Sequence, residues 1–133
     1  MNKELAVKIT ATLLRLVASL LLFQAGALKI FGWFGGMPAG YTLTPLLTTA
    51  GIIEIVGGVA LFFGLFSRPV AFILSGEMAF AYFIGHFKFD AFWPIQNRGE
   101  LAVILCFVFL FFAAYGAGEW SLDGMMKGRG RRS

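Results

Sequence analysis

The side chains of this chain that could do chemistry are few, and each interrupts or borders an apolar run: Arg15, Lys29, Glu54, Glu77, His86 and Glu100. An ionisable residue at the centre of a membrane helix costs about 2.5–3.5 kcal/mol on insertion scales, so one retained there should face protein and find a partner. Carboxyls, a lysine and a histidine in such places suit proton exchange, or hydrogen bonds to the carbonyls of a quinone. They suit metal chemistry poorly, because one histidine without a second strong ligand at helical spacing cannot close a set of metal ligands. The single cysteine, Cys106, excludes an internal disulfide and a CxxC redox pair. No cofactor ligands are evident, and quinone is the one cofactor the polar positions suggest.

The elements that must position these residues follow from composition. Of 133 residues, 59% are hydrophobic and only 14% are charged, which lies outside the range of water-soluble domains. The solvent expected for this chain is a lipid bilayer. Four segments are long enough to span it: Ile9 to Phe31, Pro45 to Phe66, Pro69 to Phe87 and Gly99 to Ala117. Glycines 32, 35, 36 and 40, the "SRP" turn at Arg68 and "KFDAFWPIQN" connect them, and Pro45 and Pro69 fall where helices begin. The expected fold is therefore an all-α polytopic membrane protein, a four-helix bundle running up-down-up-down, occupying residues 1–124. Residues 125–133 form a basic Gly/Arg-rich tail.

Charge sets the expected direction. Lys3, Lys8, Arg68 and the tail residues Lys127, Arg129, Arg131 and Arg132 lie on one side, and Lys29, Lys88 and Arg98 on the other. The positive-inside rule then places both termini in the cytoplasm of a bacterium, with the chain in the inner membrane. The net charge of +4 does not indicate nucleic acid, since the only dense basic run adjoins a span, where such clusters set topology or touch anionic lipid. A signal peptide cleaved after Ala27 is the alternative for the first segment; the apolar run continues past that point, which favours a retained span. Small residues four apart, such as Ala60 with Gly64 and Ser75 with Ala79, supply notches for close helix packing.

Helical rise sorts the polar residues into layers. At about 1.5 Å per residue, Arg15 lies about 10 Å in from Lys8 and Glu77 about 13 Å in from Arg68, so these two are expected to form an intramembrane ion pair. Glu54 and Gln24 fall in a middle layer, with Gln24 as the donor to Glu54 and no cation at that depth. Lys29, His86 and Glu100 fall together near the outer surface, below Asn97 and Arg98. Glu54, His86, Glu100, Lys29 and Gln24 are thus the candidates for a polar cavity or proton exchange, the alternative being a set of structural ion pairs. For His86 alone the alternative is an interfacial hydrogen bond.

Over nearly its whole length the chain resembles the DoxX family of small bacterial membrane proteins. The resemblance rests on "LLRLVASLLLFQAGALKI" with Arg15 and Lys29, "GIIEIVGGVALFFGLFSRPVAFIL" with Glu54, on His86, on "NRGELAV" with Asn97 and Glu100, and on "YGAGEWSLD" with Gly116, Gly118, Ser121 and Asp123. The last four match the family's terminal signature, and their chemistry suits a structural role: glycines that end a helix, and Ser and Asp that bond nearby backbone. The family is named for a subunit associated with a terminal quinol oxidase, and relatives are linked to thiosulfate:quinone oxidoreductase and oxidative-stress complexes. The resemblance implies an accessory or quinone-binding component of a membrane redox system, partnered by a redox enzyme. A non-enzymatic scaffold or assembly subunit and a small homo-oligomeric transporter are the alternatives.

Overall fold

The computed structural model describes residues 1–130, and the described residues are helical apart from their connections. Helix α1 runs Lys3–Phe31, opened by Asn2, whose side chain accepts from the Leu5 amide at 2.8 Å, and closed by Gly32 in the left-handed conformation. Helix α2, Pro45–Phe63, starts as its sequence dictates, with Thr44 as cap and Pro45 in the first turn. It stops at Gly64 (φ 71°), three residues before the expected end, because a left-handed residue cannot continue the helix. Helix α3, Ser67–Phe80, passes without a break into a π-helical turn, Ala81–His86. A short α4, Pro94–Asn97, leads into α5, Glu100–Tyr115.

α1 and α2 are long and apolar enough to cross a membrane, and α5 is a shorter apolar helix. Their outward surfaces agree with that solvent: Phe72, Phe80, Phe83, Ile104 and Phe107 are each more than half exposed, an apolar coat that water would not tolerate.

α1 packs on α2 and α3 on α5, each pair antiparallel. Along the first pair, Ser19 meets Gly58 and Gly26 meets Gly51. Along the second, Ser75 donates to the Cys106 carbonyl at 2.7 Å and Tyr82 lies against Gly99. Close approach depends on glycine: a Cβ on Gly26 would stand 2.7 Å from the Gly51 carbonyl oxygen and 3.0 Å from the Glu54 Cβ. Leu22, Leu61, Leu74, Phe109 and Phe112 fill the centre between the two pairs. In an apolar solvent this fit of surfaces, and not burial from water, holds helices together.

One boundary differs from the sequence reading. The tail expected from residue 125 is helical from Leu122 to Gly130, so the division at 124 falls inside an element, α6. Ser121 starts it by accepting from the Gly124 amide at 3.0 Å. Arg131 and Arg132 lie outside the described residues.

Candidate functional site

Two groups of polar residues lie between the helices, and their composition differs from the expected layers. The first gathers around Arg15, which is 3% exposed. Its guanidinium donates to the carbonyl oxygens of Ala117 at 2.6 Å, Trp120 at 3.1 Å and Phe62 at 3.3 Å. The expected Arg15–Glu77 ion pair does not form. α1 faces α2 and touches α5, whereas Glu77 is on α3 and turns toward α2, so the two residues occupy different interfaces. The Ala117 and Trp120 carbonyls are freed where α5 ends at Gly116 (φ 81°) and the chain bends back through Gly118 (φ 80°), and the Phe62 carbonyl where α2 ends at Gly64.

Asp123 extends this first group. Its carboxylate oxygens accept from the amides of Phe66 and Ser67, each at 2.8 Å, and so cap the start of α3. Phe66 sits there at φ 49°, a conformation non-glycine residues adopt only when held. Burial works against the charge on Asp123, but the Ser67 and Phe66 hydrogen bonds and the nearby Arg15 prevail, leaving its carboxyl below the usual carboxylate range. Ser121 donates to the Gly118 carbonyl at 2.6 Å. These contacts place Gly116 and Gly118, expected to be structural, at the end of α5, and Ser121 and Asp123, expected likewise, at the starts of α6 and α3.

The second group lines a cavity of about 500 Å³ between α1, α2 and α3. Lys29 Nζ donates to both oxygens of Glu54, at 2.9 and 2.7 Å, and Glu54 is only 2% exposed. Glu54, expected to have no cation at its depth, therefore has one. In an α-helix each side chain leans toward its own N-terminus, so on antiparallel helices Lys29 leans inward and Glu54 outward until they meet. Glu77 faces this pair from α3, and its Oε2 is buried with no hydrogen-bond partner among the described residues. Two carboxyls and one ammonium leave one carboxyl without a counter-charge. Only two of the three Lys29 donors are used.

His86 reaches the same cavity from the π-turn, where the Phe87 amide bonds back to Tyr82 at 2.8 Å. Its Nδ1 lies 3.2 Å from the Asn97 carbonyl oxygen, which can only accept. In that contact Nδ1 carries the proton, and in the neutral ring Nε2 remains an acceptor. Asn97 is a structural residue here: its amide donates to the Tyr82 hydroxyl and the Ala91 carbonyl, and its oxygen accepts from the Gly99 amide.

Two expected members are absent. Gln24 is exposed, on the side of α1 away from Leu22 and Gly26, and makes no hydrogen bond to Glu54. Glu100 is exposed in the first turn of α5 and does not line the cavity, so the expected outer cluster with Lys29 and His86 does not assemble. Among the described residues no three His, Cys, Asp or Glu side chains converge to hold a metal ion. Apart from Thr49 the rest of the lining is apolar, with Leu46, Ile53, Ile73, Phe80 and Ile84 around the polar end.

The DoxX family profile matches residues 10–87, more than half of the chain and a stretch that contains Arg15 and all four ionisable residues of the cavity. This chain belongs to the DoxX family. A relative in Haemophilus influenzae, itself uncharacterised, is 44% identical over 114 residues, covering 83% of this chain and 85% of its own length. No solved structure matches this DoxX chain. Family membership and the candidate spans together make it a membrane protein.

Proposed function

We propose that this DoxX protein binds a small amphiphile with an oxygen-bearing ring, a quinone foremost, in the cavity between α1, α2 and α3. On this reading it serves as the ligand-binding component of a membrane redox or oxidative-stress system. The observation that carries the reading is the arrangement of the cavity: apolar walls, with the Lys29–Glu54 pair and the unpartnered Glu77 Oε2 gathered at one place. Ligand sites of a few hundred cubic ångströms have this character, apolar lining with a few convergent polar groups. A quinone carbonyl would accept the remaining Lys29 donor. A hydroquinone hydroxyl would donate to Glu77, or to Nε2 of His86. Electrons would come from a partner oxidoreductase, while these residues orient the ring and exchange its protons.

The same reading places four crossings in the bacterial inner membrane. α3 with its π-helical continuation and α5 with its lead-in α4 would span beside α1 and α2, with Lys3, Lys8, Arg68 and Lys127 on the cytoplasmic side.

Native mass spectrometry of gently solubilised protein, with quinone extraction, tests the ligand. Wild type should retain quinone and Glu77→Gln should lose it while melting at nearly the same temperature. Wild type that retains none, and gains no thermal stability from added quinone, would overturn the proposal and leave the pair as a packing device of a scaffold subunit.

A further inference from the structure

At the other end of the molecule a cleft of about 670 Å³ opens between the α2–α3 corner, the end of α5 and α6. Two carboxylates and two cations line it, and their situations are opposite. Asp123 is engaged by the Phe66 and Ser67 amides. Glu119 accepts from Lys8 at 2.7 Å, and this hydrogen bond holds its carboxyl below the usual range. Arg68 and Lys127 have no salt-bridge partner among the described residues, and both are exposed. The Arg68 side chain extends over Gly116, where a Cβ would stand in ordinary contact, 3.4 Å from its Nε.

α6 supplies a second, independent observation. Asp123, Gly124, Lys127 and Gly128 form the side that lines the cleft, while Leu122, Met125 and Met126, at helical spacing, form the opposite side and are exposed. Trp120, also exposed, precedes them. A short helix with an exposed apolar side opposite a polar one that holds Asp123 and Lys127, next to an aromatic residue, has the character of an element lying in the membrane interface.

We propose that this cleft binds a phosphate-bearing anion through Arg68 and Lys127, and that its source is an anionic phospholipid of the adjoining leaflet. Arginine offers a planar fork to phosphate oxygens and lysine a compact charge, and the exposed apolar side of α6 with Trp120 sets the cleft at the level of lipid headgroups. This site shares no residue with the cavity, so it stands or falls apart from the quinone reading.

The test is native mass spectrometry of the full chain in detergent, titrated with phosphatidylglycerol, phosphatidylcholine or inorganic phosphate. Wild type should retain phosphatidylglycerol over phosphatidylcholine, and Arg68→Gln and Lys127→Gln should each weaken that retention about fivefold. Lys3→Gln, the same loss of charge outside the cleft, should leave it unchanged. An equal loss in Lys3→Gln, or no loss in the two cleft variants, overturns the site. Inorganic phosphate that binds alone and displaces the lipid, with the same dependence on Arg68 and Lys127, overturns the lipid as its source. If Arg68→Gln fails to fold, Lys127→Gln on the exposed helix decides the question alone.

Discussion

The Arg15 group and the Lys29 cavity each hold a costly buried charge contributed by α1, yet their bonding is unlike. Arg15 is bound by three main-chain carbonyls that have no other helical partner. Lys29 and Glu54 are bound to each other, beside a second carboxyl and an open volume. A buried charge that satisfies backbone holds a fold together. A buried pair with spare donors and acceptors around a void is available to a ligand.

The sharpest way to break this comparison is Arg15→Leu. It should cost about 3–5 kcal/mol, because it leaves buried carbonyls without donors, and it should show as a large loss of folded protein and of Tm in detergent. A variant that melts like wild type would remove the structural half of the contrast. Glu54→Gln should cost about 2 kcal/mol, less because Lys29 is partly exposed and can turn into the cavity, and it should also abolish quinone retention. Asp123→Asn should cost about 1 kcal/mol, since a carboxamide has one acceptor oxygen for two amides.

Asp123 also carries a pH signature. Its folded-state pKa is depressed, so its stabilising contribution is present above the ordinary value of 3.8 and is lost as pH falls through the folded value. Wild type and Asp123→Asn should therefore differ in Tm at neutral pH and converge only as pH falls below 3.8 and through the lower folded value. Smallest in stability is Glu77→Gln, within about 0.5 kcal/mol, with ligand retention falling about tenfold. Glu100→Gln should change neither. A Glu77 variant that lost several degrees of Tm but kept its ligand would reverse the roles assigned to the two regions.

Much of the fold was legible because its signals are local. Glycines and prolines punctuate the chain, Thr44 and Pro45 announce α2, and apolar runs of the right length announce α1 and α2. The site was legible in membership more than in pairing. Lys29, Glu54 and His86 do share a cavity, but rise along a straight axis placed Lys29 a layer too high because it ignored the lean of side chains along antiparallel helices. Helical spacing held the correction: Arg15, Ser19, Leu22, Gly26 and Lys29 follow one stripe, and Gln24 falls off it. Glu77 was matched with Arg15 by depth alone, though depth does not say which helices are neighbours. Nothing in the side chains could announce that the partners of Arg15 are carbonyls, since every residue has one.

Two of those three carbonyls belong to residues 102 and 105 positions further along the chain. During synthesis the first helix enters the membrane with a guanidinium whose final acceptors have not yet been made. Until Trp120 leaves the ribosome, α1 must keep Arg15 near the interface, in contact with water, or shielded by the insertion machinery. The last connection to be translated thus decides when the first helix can settle, and a chain stopped before it would carry an unsatisfied charge that marks it as incomplete.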